Sequence, residues 1–293
     1  MWRVAGRSGL SEALRVSLPF QKYEGLGNDY IVVDSSARSE RFDAARARAL
    51  CERHRGIGAD GVLLVGEDAD GPFMRVVNAD GSRPEMCGNG LRCAMLHLAR
   101  AGRFVHEAVR VETDAGPHEC TVLDLSADRR TASVRVAMRP YTLRPDPSWL
   151  VGDVERVELE IAIDGLQLKG TAVSMGNPHL VIFDAERQGA PLLAARLERH
   201  PLFPARVNVG LAELTGPRAI GLRVYERGVG LTEACGTGAC AAAAAAVETG
   251  RIPRGEPIEV SLPGGRLTIV VGDRGAPVSM TGPARFVFAG ETS

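Results

Sequence analysis

The sequence predicts an α+β fold of two similar strand-rich halves, each built around one central helix. Two observations predict it: strand-like runs far outnumber helical ones, and a stretch of the first half recurs in the second. Strands and helices do not alternate along the chain, which disfavours a doubly wound parallel sheet. At 293 residues the chain is long enough for two domains of ordinary size.

The internal repeat appears at two separated places. The run RVVNADGSRPEMCGNG (75–90) aligns without a gap on RVYERGVGLTEACGTG (223–238), which matches Cys87 with Cys235. Upstream, GLGNDYIVVD resembles SMGNPHLVIFD, and there Asn28 matches Asn177. The two offsets differ by a single residue, so the pattern indicates a duplicated half.

Local patterns predict the individual elements and the division between the halves. Strands are predicted over 30–34, 61–65, 73–78, 109–113, 132–138, 157–163, 179–183, 205–210, 221–226, 258–262, 266–271 and 284–290. One helix is predicted over 43–54, and two others start at the Cys-Gly pairs and end at Gly102 and Gly250. The proline-rich stretch 139–149 favours an interdomain boundary. We therefore predict an N-terminal extension over 1–17, a first half over 18–140, a second half over 141–277, and a return of 278–293 to the first half.

Composition disfavours several classes of function. The formal net charge is -1 and the arginines are scattered, so there is no electrostatic footprint for nucleic acid. No segment is long and apolar enough to span a bilayer, and the N-terminus lacks the apolar core of a secretory signal. Six cysteines in so long a chain do not form a disulfide framework, which favours a cytoplasmic location. The two lysines, Lys22 and Lys169, lie in no cofactor motif, which disfavours pyridoxal phosphate.

Cys87 and Cys235 each precede a predicted helix and lie among glycines, whereas the other four cysteines are expected to be core residues. The unpaired N–H groups and the dipole of a helix start favour a thiolate, and we expect them to lower a thiol pKa by about one unit or less. The flanking glycines also let a carboxylate approach these N–H groups. Two such sites related by the repeat would place one sulfur on each face of a bound carbon, an arrangement that suits inversion of a stereocentre. No C-x-x-C motif is present, which disfavours zinc.

Together, the motifs GLGNDYIVVD, NADGSRPEMCGNGLRC, SMGNPHLVIF, RVNVG, YERGVGLTEACGTGACAAAAAA and LPGG resemble the diaminopimelate epimerase family over most of the chain, from about Phe20 to Phe288. The resemblance implies interconversion of LL- and meso-diaminopimelate, in lysine and peptidoglycan-precursor biosynthesis, without a cofactor or metal. It also implies an active site in a cleft between the halves. Cys87 and Cys235 would exchange the roles of proton acceptor and donor with the direction of reaction.

The same resemblance implies the substrate-binding residues. It maps them onto Asn28, Asn78, Gly88, Asn89, Asn177, Asn208, Glu226, Arg227, Gly236 and Thr237, with His179 and Glu226 as auxiliary groups near the cysteines. Arg227 is suited to a distal carboxylate and Glu226 to a distal ammonium. The expected partner is a small molecule, with no nucleic acid and no membrane, and a homodimer is a candidate assembly.

Two alternatives stay open at this point. A related cofactor-independent racemase would act on proline-like or histidine-like amino acids, although proline racemases usually carry His where Asn89 stands and lack the Y-E-R-G run. A redox or metal-binding thiol protein is the alternative from another class. One departure from the family is Gly61, where some members carry Gln, so one side-chain contact to the substrate is in doubt.

Overall fold

A computed structural model describes residues 17–35, 42–83, 87–143, 148–151 and 157–292. Its strands are β1 (Leu18–Gly25), β2 (Asn28–Asp34), β3 (Gly61–Asp68), β4 (Gly71–Asn78), β5 (Ala108–Thr113), β6 (Gly116–Leu125), β7 (Thr131–Met138), β8 (Leu159–Ile163), β9 (Leu166–Ser174), β10 (Pro178–Phe183), β11 (Asn208–Gly216), β12 (Ala219–Glu226), β13 (Gly230–Thr232), β14 (Pro257–Leu262), β15 (Gly265–Val270) and β16 (Val278–Thr292). The helices are α1 (Ala44–Cys51), α2 (Gly88–Arg100), α3 (Ala190–Leu197) and α4 (Gly236–Glu248). The predicted extension over 1–17 lies outside the described residues except for Ser17.

In the first half, a closed ring of strands surrounds α2. The strands pair in the order β1 to β7 and then β16, and β16 pairs back with β1 to complete the ring. Every residue of α2 except Arg100 is buried. The helix stops at Gly102, whose positive φ of 80° lets its N–H reach back to the carbonyl of Ala99.

The second half repeats this arrangement around α4. Its strands pair in the order β16, β15, β14, β12, β11, β10, β9 and β8, so β16 belongs to the sheets of both halves. Alanine has the highest helix propensity, and its small side chain lets the Ala241–Ala246 run pack inside the sheet with no exposed surface. Gly250, with φ of 70°, ends this helix as predicted.

One hydrophobic core joins the two halves, because residues of α2, α4, β7 and β16 belong to a single cluster of buried side chains. Two smaller clusters lie beneath α1 and α3 on the outer faces of the sheets. Both central helices therefore start in the shared interior, close to the strands that connect the halves.

The predicted fold class is confirmed, and each predicted strand overlaps an observed one. The prediction of a strand over 205–210 was wrong at its start, because Arg206 adopts a left-handed φ of 61° and β11 begins only at Asn208. Prediction also missed β6, β9, the short strand β13 and the short helix α3, and it gave no bounds for β1. β6 starts with Gly-Pro and β9 contains Gly170, both weak strand signals. The domain boundaries stay a prediction.

Within the described part of the chain, no helix is both long enough and apolar enough to cross a membrane.

Candidate active site

The two cysteine-capped helix starts approach each other beside Met280 of β16. A β-carbon on Gly88 would lie 2.8 Å from Met280 Cε, and one on Gly236 would lie 3.2 Å from Met280 Sδ. The same position on Gly236 is 3.6 Å from Asn89 Oδ1, so the first turns of α2 and α4 are neighbours. A β-carbon at either glycine would crowd the end of the Met280 side chain, which would have to move to make room.

Cys87 is the N-cap of α2 and is half-buried. Its Sγ accepts a hydrogen bond from the Gly90 N–H at 3.2 Å, and the Tyr30 hydroxyl lies 3.1 Å from the same sulfur. The extended backbone of Cys87, with φ of −142° and ψ of 90°, turns its side chain back over the first helical turn. The sulfur thus occupies the place that a Ser or Asp oxygen takes in an ordinary cap.

Cys235 caps α4 with nearly the same backbone geometry, φ of −130° and ψ of 105°. Its Sγ accepts from the Gly238 N–H at 3.4 Å and lies 3.6 Å from Thr237 Oγ1. The Glu226 carboxylate, at the end of β12, accepts from Thr232 Oγ1 and lies close enough to the Cys235 sulfur for its charge to disfavour a thiolate there. Cys235 is buried, and its carboxylate neighbour is the main difference from Cys87.

The expectation of thiol pKa values lowered toward neutrality was wrong. Burial raises the pKa of Cys87, although Tyr30, the Gly90 amide and Arg92 oppose the rise. Burial and then the Glu226 charge raise the pKa of Cys235. Removing water from a thiolate outweighs the helix dipole, which contributes at most about 2 kcal/mol.

Two asparagines of the first half form a hydrogen-bonded pair beside Cys87. Asn89 Nδ2 donates to Asn28 Oδ1 at 2.5 Å, and Asn28 Nδ2 donates to Asp60 Oδ2 at 3.0 Å. Asn89 Oδ1 is buried and has no donor among the described residues, so it is available to a ligand ammonium. The Leu26-Gly27 turn places Asn28 at the first residue of β2.

The second half carries the matching chain of polar groups. His179 Nε2 lies 3.1 Å from Asn177 Oδ1, and Asn177 Nδ2 donates to Thr237 Oγ1 at 3.4 Å. Burial, with Arg227 adding to it, lowers the pKa of His179 to about 3, so the imidazole is neutral. Its Nε2 therefore donates to the Asn177 oxygen, and the Thr237 hydroxyl is left to donate to Cys235.

Asn208 connects the start of β10 to the turn after β12. Its Nδ2 donates to the Pro178 carbonyl at 2.9 Å, and its Oδ1 accepts from the Arg227 N–H at 2.9 Å. These bonds fix the turn that carries Glu226 and Arg227. The Arg227 guanidinium is exposed and bonds only the Ala205 carbonyl among the described residues, so it is free to contact a ligand.

Asn78 is the position in the first half that matches Glu226, at the end of β4. Its side chain donates to Ser82 Oγ at 2.9 Å, within its own turn. Gly61 pairs with Asn78 across the sheet, and a β-carbon there would lie 2.8 Å from the Val77 carbonyl oxygen. The backbone is so close to Gly61 that any larger residue there would require the strand to shift.

Sequence reasoning missed three groups around the first cysteine. Tyr30 contacts the Cys87 sulfur, Asp60 holds Asn28, and Arg92 is a fully buried cation on α2. Strand alternation could have found Tyr30, because it lies two residues after Asn28 and therefore on the same face of β2. Arg92 was visible as a lone charge inside the apolar run of α2.

The structure therefore brings ten of the predicted groups into one connected region between α2 and α4. These are Cys87, Gly88, Asn89, Asn28, Cys235, Gly236, Thr237, Asn177, His179 and Glu226. Helix geometry leaves the amides of the first helical residues without an intrahelical acceptor, and they supply donors for an anion.

Comparison with known proteins finds sequence relatives over most of the chain. The family described as diaminopimelate epimerase matches residues 20–143 and 171–287. The chain is 44% identical over 287 residues to the diaminopimelate epimerase of Desulforudis audaxviator, covering 94% of this chain and 99% of that protein. It is 40% identical over 279 residues to that of Stutzerimonas stutzeri, covering 94% of this chain and 98% of that protein.

Solved structures show the same fold in more distant proteins. A hydroxyproline epimerase from Agrobacterium vitis superposes with a TM-score of 0.68 at 16% identity, over 95% of this chain and 93% of that chain. A predicted epimerase from Pseudomonas aeruginosa superposes with a TM-score of 0.64 at 17% identity, over 94% of this chain and 98% of that chain. Both share the fold of this chain.

Proposed function

Because the chain belongs to the diaminopimelate epimerase family, we propose that it interconverts LL- and meso-diaminopimelate without a cofactor, with Cys87 and Cys235 as the proton-transfer groups. The observation that carries the proposal is the duplicated cap: each sulfur accepts an amide N–H at the start of a buried helix, and the two helix starts meet beside Met280.

The first step of the proposed reaction is proton abstraction from the α-carbon. A thiolate on one face takes the α-proton, so an S–H bond forms as the C–H bond breaks. The electron pair stays on the substrate and spreads into its α-carboxylate. N–H groups of the first turns of α2 and α4 can hold this carboxylate, where the developing charge is favoured by both helix dipoles.

The second step is proton delivery to the opposite face. The second cysteine gives up its thiol proton, a new C–H bond forms with inverted configuration, and the S–H electron pair remains on sulfur. Two sulfurs that each approach one carbon to about 3–3.5 Å are roughly 7 Å apart in the reacting complex. The reverse reaction uses the same atoms with the roles exchanged.

Recognition of the far end of the substrate is assigned to the turn after β12. Arg227 would receive the distal carboxylate, with Asn78 and Asn208 completing the polar lining. Glu226 lies beside Cys235 and would face the reacting end of the substrate instead, so its expected pairing with the distal ammonium is corrected. Asn89 Oδ1, which has no donor among the described residues, would accept from the α-ammonium. The product would serve lysine and peptidoglycan-precursor biosynthesis in the cytoplasm, and a homodimer stays a prediction.

The test is α-hydrogen exchange in deuterated solvent with the purified protein and no added cofactor. We expect diaminopimelate to incorporate deuterium as it epimerises, while proline and histidine do not. Exchange of proline or histidine but not diaminopimelate would favour the related-racemase alternative. A strict requirement for pyridoxal phosphate or metal would contradict the proposed mechanism.

A further inference from the structure

A chain of side-chain hydrogen bonds runs from the surface of the first half to the start of α2. The Arg53 guanidinium donates to Asp60 Oδ1 at 2.7 Å. Asn28 Nδ2 donates to Asp60 Oδ2 at 3.0 Å, and Asn28 Oδ1 accepts from Asn89 Nδ2 at 2.5 Å. The chain ends at Asn89 Oδ1, which is buried and has no donor among the residues that the structure describes. A β-carbon on Gly236 would lie 3.6 Å from this oxygen, so it faces the start of α4.

The carboxylate of Asp60 fixes the direction of the bonds that follow it. An ionised carboxylate accepts hydrogen bonds and donates none, whereas an amide side chain can present either its oxygen or its NH2 group. Asp60 therefore takes the NH2 group of Asn28, which turns the Asn28 oxygen toward Asn89. That oxygen in turn takes the NH2 group of Asn89. The group that remains for a ligand at the helix starts is thus the Asn89 oxygen, an acceptor.

Asp60 is itself held by a network of charged groups. Its Oδ2 also accepts from the Asp29 N–H at 3.1 Å, and its own N–H donates to Asp29 Oδ1 at 3.1 Å. Arg53 bridges both carboxylates, at 2.8 Å to Asp29 and 2.7 Å to Asp60. The buried Lys22 ammonium forms a 2.7 Å ion pair with Asp29. Two cations thus balance two carboxylates, and the network fixes both the place and the orientation of Asp60.

The second half carries the equivalent chain with the opposite polarity. Asn177 matches Asn28 in the repeat. Thr237 matches Asn89, since each lies two residues after its cysteine. Here the amide is turned round: Asn177 Oδ1 faces His179 Nε2 at 3.1 Å, and Asn177 Nδ2 donates to Thr237 Oγ1 at 3.4 Å. A ring N–H takes the place of the carboxylate, so this chain ends at a hydroxyl that keeps its proton to donate.

We propose that Asp60 is a positioning residue that sets the specificity of the site for an ammonium group: it acts through the amides of Asn28 and Asn89 and makes Asn89 present its oxygen to the ligand. The inference rests on the proposed function for the identity of that ligand, an amino acid whose α-ammonium binds Asn89. Its consequence is that recognition of the α-ammonium depends on a carboxylate two side chains away.

Reversal of the chain is the test by activity. Asp60→Asn lets the Asn28 amide turn over, so the KM for diaminopimelate should rise about tenfold, while kcat changes less than about threefold. Asn89→Asp alone sets a carboxylate against the Asn28 oxygen, and kcat/KM should fall about 100-fold.

In the double variant, Asp60→Asn with Asn89→Asp, the Asn28 amide can turn its NH2 group toward the new carboxylate and its oxygen toward the new amide. The site keeps an acceptor for the ammonium, so kcat/KM should recover at least about tenfold over Asn89→Asp alone. A merely structural role of Asp60 gives no such rescue, because two damaging substitutions would then add.

NMR tests the direction of the chain without any substrate. In the ¹⁵N-labelled protein, the side-chain NH2 signal of Asn89 is assigned by its loss in Asn89→Asp. One of its protons is bonded to Asn28 and should exchange slowly with solvent, and Asp60→Asn should speed this exchange at least about tenfold. Asp164→Asn is the matched control: it removes a carboxylate that pairs with Arg196 at the turn between β8 and β9, and should change neither the exchange nor the KM.

The inference is overturned if Asp60→Asn keeps either the wild-type KM or the wild-type amide exchange, or if the double variant is no better than Asn89→Asp. Arg53→Gln removes one partner of Asp60 at the surface; it should raise KM about threefold and serves where Asp60→Asn does not fold. Failure of the proposed function appears differently, as absence of deuterium in diaminopimelate with the wild-type protein, and the amide exchange still reports the direction of the chain.

Discussion

The starts of α2 and α4 show how a duplicated backbone can place the same cysteine cap in two different chemical surroundings. Each cap has an extended cysteine whose sulfur accepts the N–H three residues ahead. Beside Cys87 lie the Tyr30 hydroxyl and a buried cation, whereas beside Cys235 lie the Thr237 hydroxyl and a carboxylate. The repeat fixes where the two sulfurs are, and the residues that differ between the halves give them different surroundings.

A second comparison concerns the space between β4 and β5 in the first half and the matching space between β12 and β14 in the second. Arg75 fills the gap beside β5: its Nη1 donates to the carbonyls of Met74 and Glu112, and its Nε lies 3.0 Å from Asp114 Oδ1. The turn between β14 and β15 carries Pro263 at the place of Asp114. Without that carboxylate, Arg223 pairs with Glu186 at the surface, and a cavity of about 400 Å³ remains.

The largest effect is expected from the cysteine pair. Cys87→Ser and Cys235→Ser should each reduce epimerisation by about 10²–10⁴-fold, because serine is too weak an acid to take part in proton transfer at neutral pH. Cys51→Ser, in α1, is the matched control and should keep full activity. Turnover within tenfold of wild type in either active-site variant would remove the two-base assignment. Steady-state epimerisation assays on all three variants make this test.

The next effect concerns stability and the two arginines. Arg75→Ala should lower the free energy of unfolding by about 2 kcal/mol, because the Met74 and Glu112 carbonyls and the partly buried Asp114 carboxylate lose this partner. Arg223→Ala should lower it by less than about 1 kcal/mol, since Arg223 and Glu186 are both exposed. Urea unfolding of the two variants measures the difference. Equal losses of unfolding free energy would show that Arg75 and Arg223 stabilise the protein to the same extent.

These comparisons show what could be predicted from sequence. The repeat and the Cys-Gly pairs predicted both central helices, their caps and their ends, since these features depend on local residues. The surroundings of the two sulfurs could not be predicted, because they depend on contacts between distant segments: Tyr30 reaches Cys87 from β2, and Glu226 reaches Cys235 from β12. Burial of the thiols is also a tertiary property, which is why the expected fall in their pKa values was wrong.

The C-terminal ends of the two helices give a pH-dependent test. Glu248 at the end of α4 is buried and bonded by Tyr141, Arg254 and Arg274, which lower its pKa from 4.5 to about 2. Its contribution to stability is therefore present above about pH 4.5 and is lost as pH falls toward 2. The matching end of α2 carries His97 and Arg100 instead.

Glu248→Gln should accordingly lower the free energy of unfolding by about 2 kcal/mol at pH 7 and by progressively less below pH 4.5. Thermal unfolding of wild type and variant at pH 7 and pH 3 measures the difference. Arg266→Gln, which removes an exposed pair with Glu259, is the control and should show little effect at either pH. A constant difference between pH 7 and pH 3 would mean that the Glu248 charge is not what stabilises this end of α4.

The smallest effect is expected at Thr237, and it sharpens the contrast between the two sulfurs. The Thr237 hydroxyl lies 3.6 Å from Cys235, against 3.1 Å from the Tyr30 hydroxyl to Cys87. A longer hydrogen bond is weaker, so Thr237→Val should reduce epimerisation by less than about threefold, and by less than Tyr30→Phe does, in steady-state assays of the two variants. Asn177 would lose an acceptor in the same variant. A loss as large as that of Tyr30→Phe would show that Cys235 depends on its hydroxyl neighbour as strongly as Cys87 does.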